Sequence, residues 1–290
     1  MNFQKKISSG EFVVLAEMDT PKGVDISELI INVRRIQGRV DAVVIPGMDS
    51  GVMRMSAIGG GALTRREGME AVIHVCCRDR NRMALQGDIL AAHALGIRNV
   101  VVVPAESMEK GDHRDAKPSD DLDETELVRA IRSLNSGTDM SGFELNGRPG
   151  MTIGCAISPF GNEKEMARQL KLANEKVRAG AEFVITPPVF DLERFKSFFE
   201  NAKLLGVPVI PTVFLLKSVG IARYMANYEP GAHISEDMIR RIRKAPDREQ
   251  ECLKIAGETI AALRDVAQGV KIQTLGWESH LPAILRWAGI

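Results

Sequence analysis

Eight short apolar runs, each followed by a stretch of helical periodicity, constrain this chain more than any other feature. They cover residues 12–18, 41–45, 71–76, 99–103, 151–156, 183–186, 208–213 and 270–274. The runs are continuous rather than alternating, which marks strands buried on both faces. Residues 71–106 show the unit most clearly. A strand (Ala71-Val-Ile-His-Val-Cys) leads into a helix that stops at Gly96, and a second strand (Asn99-Val-Val-Val-Val) ends before Pro104-Ala-Glu106. Parallel strands need a crossover of this length, and such units bind ligands at the carboxyl ends of their strands.

Between the runs, helices are expected over 25–37, 80–95, 123–134, 163–179, 191–204, 216–227, 235–266 with a break near Pro246, and 278–287. Asp25-Ile-Ser-Glu28 reads as a capping box, Asp79 and Asp191 as caps, and Gly180 and Gly206 as stops. Eight strand–helix units in 290 residues fit one closed (β/α)8 barrel of the TIM type, in a single domain. An open doubly wound sheet would carry a glycine-rich phosphate turn after its first strand, and none is present. Gly59-Gly60-Gly61 matches no phosphate-binding motif and reads as a flexible active-site loop. The charged segment 106–123 follows a strand and belongs to the catalytic face, whereas the glycine-rich segment 136–149 is expected to cross the bottom of the barrel.

Charge excludes some classes of function. Lysine plus arginine equals aspartate plus glutamate, 38 each, so the chain has no footprint for nucleic acid or an anionic membrane. No apolar run approaches the roughly 18 residues of a membrane helix, and the polar start lacks a signal-peptide core; a soluble cytoplasmic protein is expected. Adjacent Cys76 and Cys77 point to opposite faces of a strand and cannot share a metal, so they and Cys155 read as small buried hydrophobes. The basic run Arg240, Arg241, Arg243 and Lys244 reads as a solvated helix face.

The candidates for chemistry lie where strands end. Glu17 closes Val13-Val-Leu-Ala-Glu, and a carboxyl walled by apolar neighbours is poorly hydrated and suited to general acid work. Glu106 stands at the exit of the fourth strand, where an acid could hold a heterocycle or balance ligand charge. His74 lies within the third strand, as a core histidine or a ligand contact. Arg78, Asp79 and Arg80 form a charge cluster, read first as a helix-start network. Lys176 lies near a helix C-terminus, where a lysine ordinarily faces solvent and complements the dipole.

These residues together resemble the methylenetetrahydrofolate reductases, flavin-dependent (β/α)8 enzymes of one-carbon metabolism. The resemblance rests on Glu17 with Pro21-Lys22-Gly23, on Arg54-Met55-Ser56, and on His74-Val-Cys-Cys-Arg-Asp-Arg-Asn81. It continues through Ala92-His-Ala-Leu-Gly-Ile-Arg-Asn-Val100, Lys176-Val-Arg-Ala-Gly-Ala181, Pro188-Val-Phe-Asp191, Leu216-Lys-Ser218 and Gly276-Trp-Glu278. It implies reduction of 5,10-methylenetetrahydrofolate, or a related methylene-pterin, to the 5-methyl form. Glu17 would be the acid that protonates the pterin. His74, Glu106, Ala156 and Lys176 would contact the flavin, with Lys176 toward its phosphate or ribityl part. Glu106 and Pro187 would meet the substrate. The implied cofactor is FAD, or FMN, reduced by NADH, NADPH or a partner electron-transfer subunit, in a chain that works alone or as a homo-oligomer. No metal is implied.

Several positions depart from the family pattern. Pro104-Ala-Glu106 stands where an aspartate follows Arg-Gly or Thr-Gly. Pro187 replaces a glutamine that touches folate, Pro46 a threonine, and Trp277 an arginine of some members. Those changes keep a second reading open: a flavin-free pterin-binding barrel that acts in methyl transfer or as a subunit of an electron-transfer complex.

Overall fold

The computed structural model describes residues 3–119, 121–158 and 160–290. Eight parallel strands close into a barrel in sequence order: β1 (Val13–Glu17), β2 (Ala42–Ile45), β3 (Ala71–Val75), β4 (Asn99–Val102), β5 (Thr152–Ala156), β6 (Phe183–Pro188), β7 (Val209–Phe214) and β8 (Gly269–Gln273), with β8 pairing back onto β1. The helices are α1 (Phe3–Ser9), α2 (Ser27–Arg35), α3 (Ala57–Arg66), α4 (Arg82–Ala94), α5 (Glu124–Ser136), α6 (Glu163–Ala179), α7 (Leu192–Ala202), α8 (Val219–Tyr228), α9 (Glu236–Lys244), α10 (Arg248–Leu263) and α11 (Leu281–Trp287).

The continuous apolar runs have the reason expected of them. Alternate strand residues face opposite ways. Val13, Leu15, Ala42, Val44, Val72, Val101, Phe183 and Ile210 pack together inside the barrel. Val14, Ala16, Val43, Ile73, Val100, Val184 and Ile272 pack outward against the helices. The interior is filled layer by layer. Gly154 gives Phe183 its space, since a Cβ there would lie 2.3 Å from the ring.

The structure corrects four local expectations. The bottom of the barrel is closed by α1, not by 136–149: Phe3 packs edge-on to Phe183 at 5.4 Å between ring centroids. Segment 136–149 lies beside α4, where the Met140 N–H donates to Gln86. The cap of α4 is Asn81, and Asp79 pairs with Arg78 instead. Asp25 accepts from the Ser27 N–H without forming a capping box.

The fourth correction concerns the glycine triplet. Gly59, Gly60 and Gly61 lie within α3 rather than in a loop. A Cβ on Gly60 would stand 2.5 Å from Thr20 Cγ2, and one on Gly61 would stand 2.7 Å from Ile97 Cδ1 and 2.8 Å from Ile73 Cγ2. The glycines let α3 lie close against the barrel. Gly61→Ala should therefore lose about 1–3 kcal/mol to overpacking, less the roughly 1 kcal/mol that alanine returns in helix propensity. Gly87 in α4 has nothing within 4 Å of its added Cβ. Gly87→Ala should be neutral or slightly stabilising, and urea unfolding of the two variants side by side separates contact from propensity.

Other expectations stand. Helix α9 ends before Pro246 and α10 begins after it. Arg240 pairs with Asp237, and Arg241 with Glu251 and Glu258, on an exposed face. Among the described residues no helix is long and apolar enough to cross a membrane.

Candidate active site

Glu17 is the last residue of β1 and shares the inward face of Val13 and Leu15. It therefore projects into the barrel at the rim where the strands end. The sequence suggested a lone acid in apolar surroundings. Instead Lys271 of β8, in register beside Leu15, reaches up and donates from Nζ to Glu17 Oε2 at 2.7 Å. Both residues are buried, at 6% and 7% exposure. A charge in such a place is expensive unless paired, and this pair is matched with hydrogen-bond geometry. Lys271 was missed from sequence, yet a signal existed: a lysine between Val270 and Ile272 in a buried strand must have a partner.

A second, half-buried pair stands near the first. His74 of β3 places Nδ1 3.4 Å from Oδ2 of Asp49, which follows β2. The contact is electrostatic: Nδ1 and Asp49 Oδ1 are buried without hydrogen-bond partners among the described residues. Burial by itself would push the Asp49 carboxyl up, but the nearness of His74, with the more distant charge of Lys271, brings it down to about 2. A carboxyl depressed in the fold contributes stability above its unfolded value near 4 and loses it as pH falls toward 2. Asp49→Asn should therefore cost about 2 kcal/mol at neutral pH and flatten the acid limb of the stability curve between pH ~4 and ~2. Urea titrations across that window check both. A wild-type acid limb in the variant would show that Asp49 carries none of the acid sensitivity.

The loops over this rim are tied together by Arg78. Its guanidinium binds Asp79 through Nε at 2.7 Å and donates to the carbonyls of Met48, Asp49 and Glu106. Asp112 adds a second tie by accepting from the Met53 N–H and pairing with Lys22. The segment after β4 is thus clamped to those after β1, β2 and β3. Glu106 takes part through its backbone, with its N–H donating to the Asp49 carbonyl. Its side chain is exposed and pairs with Lys110 at 2.7 Å, so it turns away from the role expected for a ring contact.

Ala156 and Lys176 meet at the end of β5, where Lys176 Nζ donates to the Ala156 carbonyl at 3.2 Å. Lys176 is buried rather than solvent-facing, and its ammonium is closed in an ion pair with Glu124, the first residue of α5. The surroundings are acidic. Asp123 and Glu126 cap α5 reciprocally, each side chain accepting from the other's backbone N–H. Burial first, then the charges of Glu124, Cys76, Asp123 and Glu126, pushes the Cys77 thiol up to about 12. A flavin phosphate needs an available cation and free N–H donors. As placed, Lys176 is not available as that cation, and its acidic surroundings do not fit that group.

The four cysteines are free, and burial pushes Cys76 and Cys155 up to about 12 and Cys252 to about 11, so none is a ready nucleophile. Among the described residues no cluster of His, Cys, Asp and Glu could hold a metal ion. A cavity of about 460 Å³ lies at the end of β6 between the start of α6, α7 and the end of α8. Of the residues expected to bind ligand, Pro187 alone lines it.

Comparison with known proteins supplies the family. A family model described as methylenetetrahydrofolate reductase matches residues 2–289. "Methylenetetrahydrofolate reductase 2" of Schizosaccharomyces pombe is 25% identical over 252 residues, 79% of this chain and 37% of that protein. A "Probable methylenetetrahydrofolate reductase (NADPH)" of Caenorhabditis elegans is 23% identical, over 77% of this chain and 33% of that protein. The chain thus spans about a third of the length of the curated relatives it matches. Among solved structures, an uncharacterized protein from Clostridium thermocellum, described as binding two copies of 5-methyl-5,6,7,8-tetrahydrofolic acid, superposes with TM-score 0.66 at 16% identity, covering 98% of this chain and 97% of that one. A 2,3-dimethylmalate lyase gives TM-score 0.53 at 9% identity, over 99% and 84%. At such identities these two show a shared barrel fold. The family model, matched over almost the whole chain, shows that this chain belongs to the methylenetetrahydrofolate reductase family.

Proposed function

We propose that this chain binds a tetrahydrofolate-type molecule at the carboxyl ends of its strands and interconverts the methylene and methyl forms of its one-carbon unit. The observation that carries the proposal is the buried Glu17–Lys271 pair at that rim. Reduction of a bridging methylene needs a proton on one ring nitrogen, which breaks that nitrogen's bond to carbon and leaves an iminium. Hydride added to the iminium carbon completes the methyl group. Lys271 donates toward Glu17, and Glu17 stands at the strand end, so a proton passes from the pair to the ligand through the carboxylate. What remains is a neutral Lys271 amine hydrogen-bonded to the Glu17 carboxylate, and the next proton taken up restores the charged pair. His74 and Asp49 offer polar atoms beside the same rim. The folate-binding description of the Clostridium thermocellum neighbour accords with this ligand class.

NADH or NADPH supplies the hydride in this reading, directly or by way of FAD or FMN. Family membership supports the flavin route, and the Lys176–Glu124 pair speaks against it. The same pair favours the second reading, a flavin-free barrel that binds a pterin for methyl transfer or as an electron-transfer subunit. One experiment separates them: incubate the purified chain with 5,10-methylenetetrahydrofolate and NADH or NADPH, assay the 5-methyl product, and record the visible spectrum. Product from yellow protein supports the flavin route, and product from colourless protein supports direct transfer. Binding of 5-methyltetrahydrofolate without turnover supports the second reading. No binding of either folate overturns both.

A further inference from the structure

A helix on the outside of a barrel ordinarily buries one face and charges the other. Helix α4 departs from that pattern. Its inner face, with Leu85, Ile89 and Ala92, packs on the barrel. Its outer face is apolar as well. From Met83 to Leu95 every exposed residue is uncharged: Met83, Leu90 and Leu95 at 76%, 38% and 51% exposure, with Ala84, Gly87, Ala91 and Ala94 between them. Helix α6 shows the ordinary pattern, with Lys164, Glu165, Arg168, Lys171 and Glu175 exposed. A helix that is apolar all round belongs in an interior. Gly87 points the same way. Glycine is a poor helix former, and an added Cβ there would meet nothing within 4 Å in its own chain.

A fixed aromatic residue stands beside this face. Segment 136–149 lies against α4 through the bond from the Met140 N–H to Gln86, and it carries Phe143 at 72% exposure. The Phe143 N–H donates to Asp139 Oδ1 at 2.9 Å, and its carbonyl accepts from the Asp139 N–H at 3.0 Å, so the ring is held out on a closed turn. Exposed apolar patches with aromatic anchors mark protein interfaces.

We propose that the outer face of α4 packs antiparallel on the same face of a second copy, giving a two-fold dimer. The pattern on α4 is its own complement. Turned end for end about the level of Ile89, Gly87 of each copy falls level with Ala91 of the other, and Ala84 with Ala94 and Leu95. A large residue at one end thus meets a small one, and the two backbones can come close at Gly87. Charge supports both the second copy and its direction. Helix α5 runs beside α4, with Asp123 and Glu126 exposed at its start and Arg129 and Arg132 exposed further along. The two-fold that reverses α4 also sets α5 of one copy against α5 of the other in opposite directions, so each acidic start faces a basic end. An isologous contact of this kind closes at two copies and covers both apolar faces. It lies on the outside of the barrel and does not depend on what the mouth binds.

Sedimentation equilibrium of the full 31.8 kDa chain tests this, and wild type should weigh twice the chain mass. Leu90→Arg brings two guanidinium groups together near the two-fold and should weaken the dimer about a hundredfold or more, with an unchanged far-UV circular dichroism spectrum. Leu204→Arg, at a leucine 85% exposed after α7, should leave the mass as it is. Cross-linking gives a second readout that needs no loss of association. Ala84→Cys/Leu95→Cys should form a disulfide-linked dimer on mild oxidation. The two positions stand about 16 Å apart along one helix, too far to join within a copy, so neither single variant should cross-link. A wild type still monomeric at about 0.1 mM overturns the proposal. So does a dimer that Leu90→Arg leaves intact, or a double cysteine variant that fails to cross-link.

Discussion

Lys271→Met should lower the stability of the fold by about 3–5 kcal/mol, the cost of removing one partner of a buried ion pair. The reason is the place of Glu17, 6% exposed and paired with the Lys271 ammonium. Take the ammonium away and a buried carboxylate is left without its paired cation. For a chain of this size the loss corresponds to a fall in Tm of roughly 10 °C, at about 2–4 °C per kcal/mol. The double variant Glu17→Gln/Lys271→Met should recover most of it, because replacing both members of such a pair is often neutral. A Lys271→Met protein as stable as wild type would show that the pair is not closed off in solution.

Glu17→Gln should reduce methyl formation by about 10²–10⁴-fold, the usual contribution of a positioned acid. A glutamine keeps the size of the side chain and can still accept from Lys271, but it cannot carry a proton onward. The affinity for 5-methyltetrahydrofolate should change only a few-fold, since the product no longer needs that proton. This split between kcat and binding separates a chemical role from a structural one. Assays belong at a temperature where the variant is fully folded, because the neutral amide leaves the Lys271 charge less well matched. Wild-type turnover in Glu17→Gln would remove the carboxyl from the reaction.

Much of the barrel is legible in the sequence because its strands are buried on both sides. Val13 to Ala16 must satisfy an interior and a helix-facing layer at once, so no polar residue interrupts the run. The end of such a run is then conspicuous, and Glu17 and His74 stand out for that reason. What sequence hides is pairing across distance. Lys176 lies 52 residues from Glu124, and nothing local to either says that they meet. A helix-end lysine is ordinarily solvent-facing, and tertiary burial overrides that pattern here.

The glycine triplet was hidden by a competing rule. Glycine lowers helix propensity by about 1 kcal/mol per residue, so three in a row read as loop. The compensation is close contact of α3 with Ile45, Ile73 and Ile97, which exists only once the barrel has closed. The cap of α4 differs from expectation by two residues, since Asp79 and Asn81 are equally good caps and Arg78 claims the first. Lys271 is a different case, because a charge inside an apolar strand is visible in the sequence, whereas its partner is set by the register of β8 on β1.

The most direct measurement is a crystal structure of the complex with 5-methyltetrahydrofolate. The pterin should lie across the strand ends with a ring nitrogen within about 2.6–3.2 Å of the Glu17 carboxyl, hydrogen-bond reach for proton transfer. A pterin seated elsewhere on the barrel, with Glu17 and Lys271 still closed on one another and out of its reach, would contradict the assignment of the proton to that pair.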